Sequence, residues 1–89
     1  MLSRSLRIQN KLGLHARAAS VFVKTAGGFG SDITVQTADK TANGKSIMSM
    51  MLLQASQGTD IEVSISGDDE AEAMTAIEAL VNDRFGEPE

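Results

Sequence analysis

The one histidine of this chain, His15, lies in the run Gly13-Leu14-His15-Ala16-Arg17, and beyond it Ala19, Phe22, Val23 and Ala26 recur at helical spacing. That spacing places His15 at or just before the first helical residue. There the amides of Ala16 and Arg17 have no partner within the helix, and the positive end of the helix dipole lies beside the ring. An anion carried on the imidazole would be held by this arrangement. Arg17 adds a guanidinium fork shaped for phosphate oxygens, and Gly13 lets the loop approach without a Cβ. The same positive surroundings favour a neutral, nucleophilic ring. The chemistry these residues suit is acceptance and release of a phosphoryl group at His15. Taken alone, the junction also fits a histidine that only caps a helix beside a solvated arginine. No second histidine, no cysteine and no paired carboxylates in a pocket-forming segment supply a rival set. A chain of 89 residues with one nucleophile cannot readily enclose a small substrate, so donor and acceptor are expected to be other proteins.

A second candidate site is Ser46-Ile47-Met48-Ser49-Met50-Met51-Leu52-Leu53, which is apolar nearly all round. Ser46 stands where an N-cap belongs, its hydroxyl placed to accept a bond from a free amide of the first turn. A two-turn helix on a small domain buries one stripe only, so part of this helix should face solvent. The expected arrangement has Met50 and Leu53 inward, with Ile47, Met48 and Met51 outward beside His15. Adaptable methionines suit a surface that docks on several partners. The alternative is a fully buried helix with all six apolar residues in the core. A phosphate on Ser46 would sit at a helix N-terminus and place about two negative charges in that patch.

These sites need elements to hold them. Leu6 and Ile8 alternate with polar residues from Arg4 to Ile8 and read as a first strand, ahead of the helix from Ala16 to Ala26, which Gly27-Gly28 should end through a left-handed C-cap. Ile33, Val35 and Thr37 mark a second strand, Ala38-Asp39 a turn and Lys40 to Asn43 a short third strand. The second helix spans Ile47 to Leu53 and closes at Gln57-Gly58. Ile61 to Ser66, with three β-branched residues on one face, is the clearest strand. Gly67-Asp68-Asp69 supplies a turn and an acidic cap for a third helix, from about Asp69 to about Arg84, with Met74, Ile77, Val81 and Phe85 as its apolar stripe. The order β-α-β-β-α-β-α, with strands that alternate in polarity, predicts an α+β fold: a two-layer open-faced sandwich with the helices on one side of the sheet. One domain, residues 1–89, is expected, with residues 86–89 as a frayed tail.

Composition narrows the function classes. Without cysteine, neither disulfides nor thiolate metal sites are available, and a lone histidine makes no zinc cage. No apolar run suits a secretory signal or a membrane span, which predicts a cytoplasmic protein with no membrane insertion. The formal charge of −4, the scattered basic residues and the absence of Tyr and Trp argue against nucleic acid as a partner.

Asn10-Lys11-Leu12-Gly13-Leu14-His15-Ala16-Arg17-Ala18-Ala19 resembles the active-site motif of the HPr family, the histidine-containing phosphocarriers of the phosphoenolpyruvate-dependent phosphotransferase system, including their nitrogen-related branch. Gly44-Lys45-Ser46-Ile47-Met48, Gly58 ahead of the fourth strand and the acidic third helix fall where that family has them, so the resemblance spans nearly the whole chain. It implies an antiparallel sheet in the order 1-4-2-3 under three helices. It further implies that His15 receives the phosphoryl group on Nδ1 from enzyme I and passes it to an enzyme II A component, with Arg17 steadying it. The chain is then a carrier and no enzyme, with no metal or other cofactor. Ala16 and Arg17 offer backbone amides to the phosphate, and Ser20, Ile47, Met48 and Met51 form the docking patch. Ser46 matches the serine that HPr kinase/phosphorylase modifies in many members. The alternative function is therefore a regulatory module docking on kinases, transcriptional regulators or channels under Ser46 control; a generic interaction domain is the third. A monomer is expected of a carrier that presents one face to partners in turn. One departure is Ala18, where many members carry proline; alanine loses about 0.5–1 kcal/mol of preorganisation and leaves His15 and Arg17 in place.

Overall fold

Alternating side chains build the sheet. In the computed structural model, which describes residues 1–89, the elements are β1 (Leu2–Arg7), α1 (Ala16–Ala26), β2 (Asp32–Gln36), β3 (Thr41–Asn43), α2 (Ile47–Leu52), β4 (Asp60–Ser66), α3 (Glu70–Asn82) and a short 3-10 turn at Arg84–Gly86. The four strands are antiparallel in the order β1-β4-β2-β3, as the resemblance implied. Ile61, Val63 and Ile65 of the central β4 are fully buried, and Ile33 and Val35 of β2 stand opposite Ile65 and Val63. Ser5, Arg7, Glu62, Gln36 and Thr41 keep the other face of the sheet in water. All three α-helices lie over the apolar face, α1 packing against both α2 and α3. This is the predicted two-layer α+β sandwich.

Between the layers, Phe22 from α1, Met50 from α2 and Met74, Ile77 and Val81 from α3 meet the β4 residues in one core. Each such side chain contributes about 1.5–3 kcal/mol by leaving water. α1 is held on both sides by that packing, which fixes its N-terminus, and so His15, relative to the sheet.

Several boundaries differ from the sequence expectation. Gly27 ends α1 in a right-handed conformation, φ −64°, and the chain leaves through Gly28 N–H to Thr25 C=O (3.1 Å) and Phe29 N–H to Ala26 C=O (3.2 Å). A tightened last turn thus replaces the left-handed cap. α2 ends at Leu52, well before Gln57-Gly58: Gln54 takes a positive φ of 53°, while Gly58, at φ 87°, belongs to a separate turn whose amide binds Ile8 C=O at 2.8 Å. α3 stops at Asn82, because Arg84 and Phe85 turn left-handed at φ 56° and 55°; this folds Phe85 back into the core. Asp69 precedes α3 but its carboxylate gives the helix no cap. It accepts instead from the amides of Gly30 and Ser31 at 2.9 and 3.0 Å, and from the Ser31 hydroxyl. The Ser31 hydroxyl first, and the Gly30 amide second, hold the Asp69 carboxyl below the usual carboxylate range.

The tail has long-range partners. Within residues 86–89, expected as a frayed tail, Lys11 N–H donates to Glu89 C=O at 2.8 Å, and the Glu87 side chain, only 8% exposed, packs against the loop after β1. Local polarity made this segment look unattached, but its partners are supplied more than seventy residues upstream.

Candidate functional site

His15 is the N-cap of α1, with extended backbone (φ −76°, ψ 179°), and its carbonyl accepts the first intrahelical bond, from Ala19 at 2.8 Å. The amides of Ala16, Arg17 and Ala18 therefore precede the helix ladder, and no side chain caps them. His15 sits here because the preceding loop is pinned to the segment after α2. Leu14 N–H donates to Ala55 C=O at 2.8 Å, and Gly13, at φ 68°, lies so close to Ala55 and Ser56 that an added Cβ would come within 2.8 Å of the Ser56 Cα. Glycine is required at that point both for the backbone angle and for the space.

The imidazole is 29% exposed, and its Nε2 lies 2.5 Å from Glu87 Oε2. The other Glu87 oxygen accepts from Asn10 Nδ2 at 2.8 Å, and the same amide group donates to Gly13 C=O at 2.8 Å. Asn10 is fully buried, with its Oδ1 unpartnered. Desolvation pushes the Glu87 carboxyl up, but the bonds from Asn10 and His15 and the nearby charges of His15 and Arg17 outweigh it and hold the group below its ordinary value. An ionised carboxylate can only accept, so whenever the ring is neutral its hydrogen sits on Nε2 and the lone pair is left on Nδ1. No hydrogen bond engages Nδ1. The ring's surroundings are thus not uniformly positive, as the sequence suggested: the helix end faces one side and Glu87 the other.

Arg17 is exposed and pairs with no carboxylate. It lines one open depression together with His15, Lys11, Leu12, Glu87, Pro88 and Glu89. The structure thus brings His15, Arg17 and the free amides of Ala16 and Arg17 together, and adds Lys11, Leu12 and Glu87. Of these, the exposed Leu12 could have been found from its position next to the motif; Glu87 carried no local signal. Three or more side chains of the His, Cys, Asp and Glu types do not gather anywhere in the structure as they would to hold a metal ion.

Ser20 is exposed on α1. Ser46 caps α2, its Oγ accepting from Ser49 N–H at 3.3 Å, as expected. Met50 and Leu53 are buried, whereas Met48 is 74% exposed and Ile47, Met51 and Leu52 are also largely open to solvent. The fully buried alternative for α2 is excluded. These α2 residues lie in the helix layer beside α1 and do not line the depression at His15. No helix is long and apolar enough to cross a membrane.

Comparison with known proteins agrees with this geometry. Residues 2–83 match the family model for the PTS HPr component phosphorylation site. The phosphocarrier protein HPr of Neisseria meningitidis serogroup A is 53% identical over 89 residues, covering 100% of both chains. Among solved structures, HPr-C-His from Thermoanaerobacter tengcongensis superposes with a TM-score of 0.95 at 46% identity, again covering 100% of each chain. An HPr dimer from the same organism gives a TM-score of 0.78 at 47% identity, covering 98% of this chain and 100% of that one.

Proposed function

The chain belongs to the PTS HPr family of phosphocarrier proteins, and we propose from that premise that His15 accepts a phosphoryl group from phosphorylated enzyme I and delivers it to an enzyme II A component. The supporting observation is the N-cap placement of His15, with Nδ1 unengaged, three unpaired amides behind it and the unpaired Arg17 beside it. A dianionic phosphoryl group on Nδ1 meets the helix N-terminus, where backbone N–H groups and the dipole stabilise it. Arg17 supplies a bidentate donor. The group remains exposed, as it must if one partner is to load it and another to remove it. Ser20, Ile47, Met48 and Met51 serve as the docking surface, the protein works as a cytoplasmic monomer, and it turns over no small molecule alone. Single domain character over residues 1–89 belongs to the same reading.

A second reading has its own observation. Ser46 is half-buried at the head of α2 with exposed Ile47 and Met48 following it. Phosphorylation there by an HPr kinase/phosphorylase would put negative charge into the docking surface and weaken association with an acidic partner, extending control to transcriptional regulators.

The test is intact-mass measurement after incubation with phosphoenolpyruvate, magnesium and enzyme I, with His15→Ala in parallel. One acid-labile phosphoryl group, absent from the variant, is the expected result. No mass gain with an enzyme I known to be active on a homologue refutes the carrier role.

A further inference from the structure

We propose that Glu87 is a positioning residue for phosphoryl transfer, setting through Nε2 both the tautomer and the orientation of His15; this rests on the carrier reading above. Glu87 Oε2 is 2.5 Å from Nε2, and its partner oxygen is fixed at 2.8 Å by Asn10, a fully buried side chain that also holds Gly13 C=O at 2.8 Å. Lys11 N–H to Glu89 C=O at 2.8 Å, with the left-handed turn at Arg84 and Phe85, carries the tail to that place. The loop and the tail thus meet on one carboxylate.

An imidazole free in water divides its proton between two nitrogens and rotates about χ1 and χ2. With a carboxylate on Nε2, the hydrogen resides there and the Nδ1 lone pair is the one available for attack. During transfer, the Nδ1 lone pair forms the new bond to phosphorus while the donor's bond to phosphorus breaks, its electron pair returning to the donor. The proton on Nε2 stays on the ring. The ring becomes positive as the bond forms, and Glu87 faces that charge across the Nε2 hydrogen. Carboxylates that orient a nucleophile's or base's imidazole act in this way. The charge-assisted bond also restrains the ring before the partner arrives, so less orientation entropy is lost on docking.

Glu87→Ala removes the acceptor, and Glu87→Gln keeps one oxygen, which can serve His15 or Asn10 but not both. Two measurements test the role. Nitrogen-15 NMR of His15 in the free protein should show the Nε2–H tautomer in the wild type, a mixture in Glu87→Ala and an intermediate state in Glu87→Gln. Single-turnover phosphorylation by loaded enzyme I should slow by about 10-fold in Glu87→Ala, the lower end for a lost bond to a charged group, with Glu87→Gln between. A wild type that takes no phosphoryl group overturns the carrier reading itself. A wild type that does, matched by Glu87→Ala in both rate and tautomer, overturns the role of Glu87 alone. Slower transfer with an unchanged tautomer likewise overturns it, since the loss would then come from the tail's packing.

Discussion

Replacing Gly13 by alanine should unseat the loop that presents His15, and three glycines allow the size of the effect to be built up. At Gly30 an added Cβ meets nothing within 4 Å and the backbone is not left-handed, so Gly30→Ala should stabilise by about 0.4–1 kcal/mol, by restricting the unfolded chain. At Gly58 the space is equally open but φ is 87°, so Gly58→Ala isolates the cost of a left-handed alanine, about 1–2 kcal/mol. At Gly13, φ 68° brings the same cost, and the Cβ would also overlap the Ala55 carbonyl and approach the Ser56 Cα to 2.8 Å. Those are backbone atoms that no rotamer change can move. Overpacking of that kind costs about 1–3 kcal/mol, and displacing the Leu14 bond to Ala55 adds about 1 kcal/mol. Gly13→Ala should therefore lose about 3–6 kcal/mol, a large part of the roughly 5–15 kcal/mol that holds a domain of this kind together. Urea unfolding of the three variants measures the ladder directly. Phosphoryl uptake by Gly13→Ala, read at a urea-free temperature where circular dichroism still reports a folded chain, should fall as His15 shifts. A Gly13→Ala variant within about 1 kcal/mol of Gly58→Ala would refute the steric argument.

Two further predictions follow from the same geometry. Ala18 precedes the first intrahelical bond, so its amide is not needed, and Ala18→Pro should gain about 0.5–1 kcal/mol, or some 2–8 °C in Tm by calorimetry; a loss would mean that the buried site has no room for the ring. Glu87 is held below its ordinary value in the fold, so its contribution is present above the unfolded carboxyl's pKa and is lost as pH falls through the folded one. The stability advantage of wild type over Glu87→Gln should thus be full at neutral pH and shrink below about pH 4.3. Urea midpoints for both proteins between pH 7 and pH 3 check this, and an advantage that grows on acidification contradicts it.

Much of the fold could be read from local pattern because its elements obey the simplest rules. The strict alternation of Ile61 to Ser66 identifies a strand with one wet face, and the period of Ala19, Phe22 and Ala26 begins where His15 becomes an N-cap. The two-faced character of α2 was legible for the same reason: a short apolar helix on a two-layer domain has only one side to bury. What escaped was everything decided at long range. Glu87 sits in a Gly-, Pro- and Glu-containing tail that has no periodicity, and its environment comes from Asn10 and His15, at the other end of the chain. Asp69 looked like a cap because it precedes a helix, yet Gly30 and Ser31 compete for its carboxylate and win. The demand for glycine at position 13 is set by the Ala55 carbonyl, which no local reading supplies.

The pairing of β1 with β4 has a consequence during synthesis. Leu2 finds its partner in Ile65, and Leu14 is pinned by Ala55, so the first strand and the loop that carries His15 leave the ribosome long before the residues that fix them. At about 5–20 residues per second, the wait for roughly sixty further residues lasts on the order of 3–12 s, during which β1 has no sheet to join. A stalled or truncated chain carries the complete His15 motif as sequence and none of it as a site. Under the carrier role proposed above, a chain ending before Ala55 and Ile65 would lack the contacts that hold the His15 loop and would not compete with the finished protein for a phosphoryl donor.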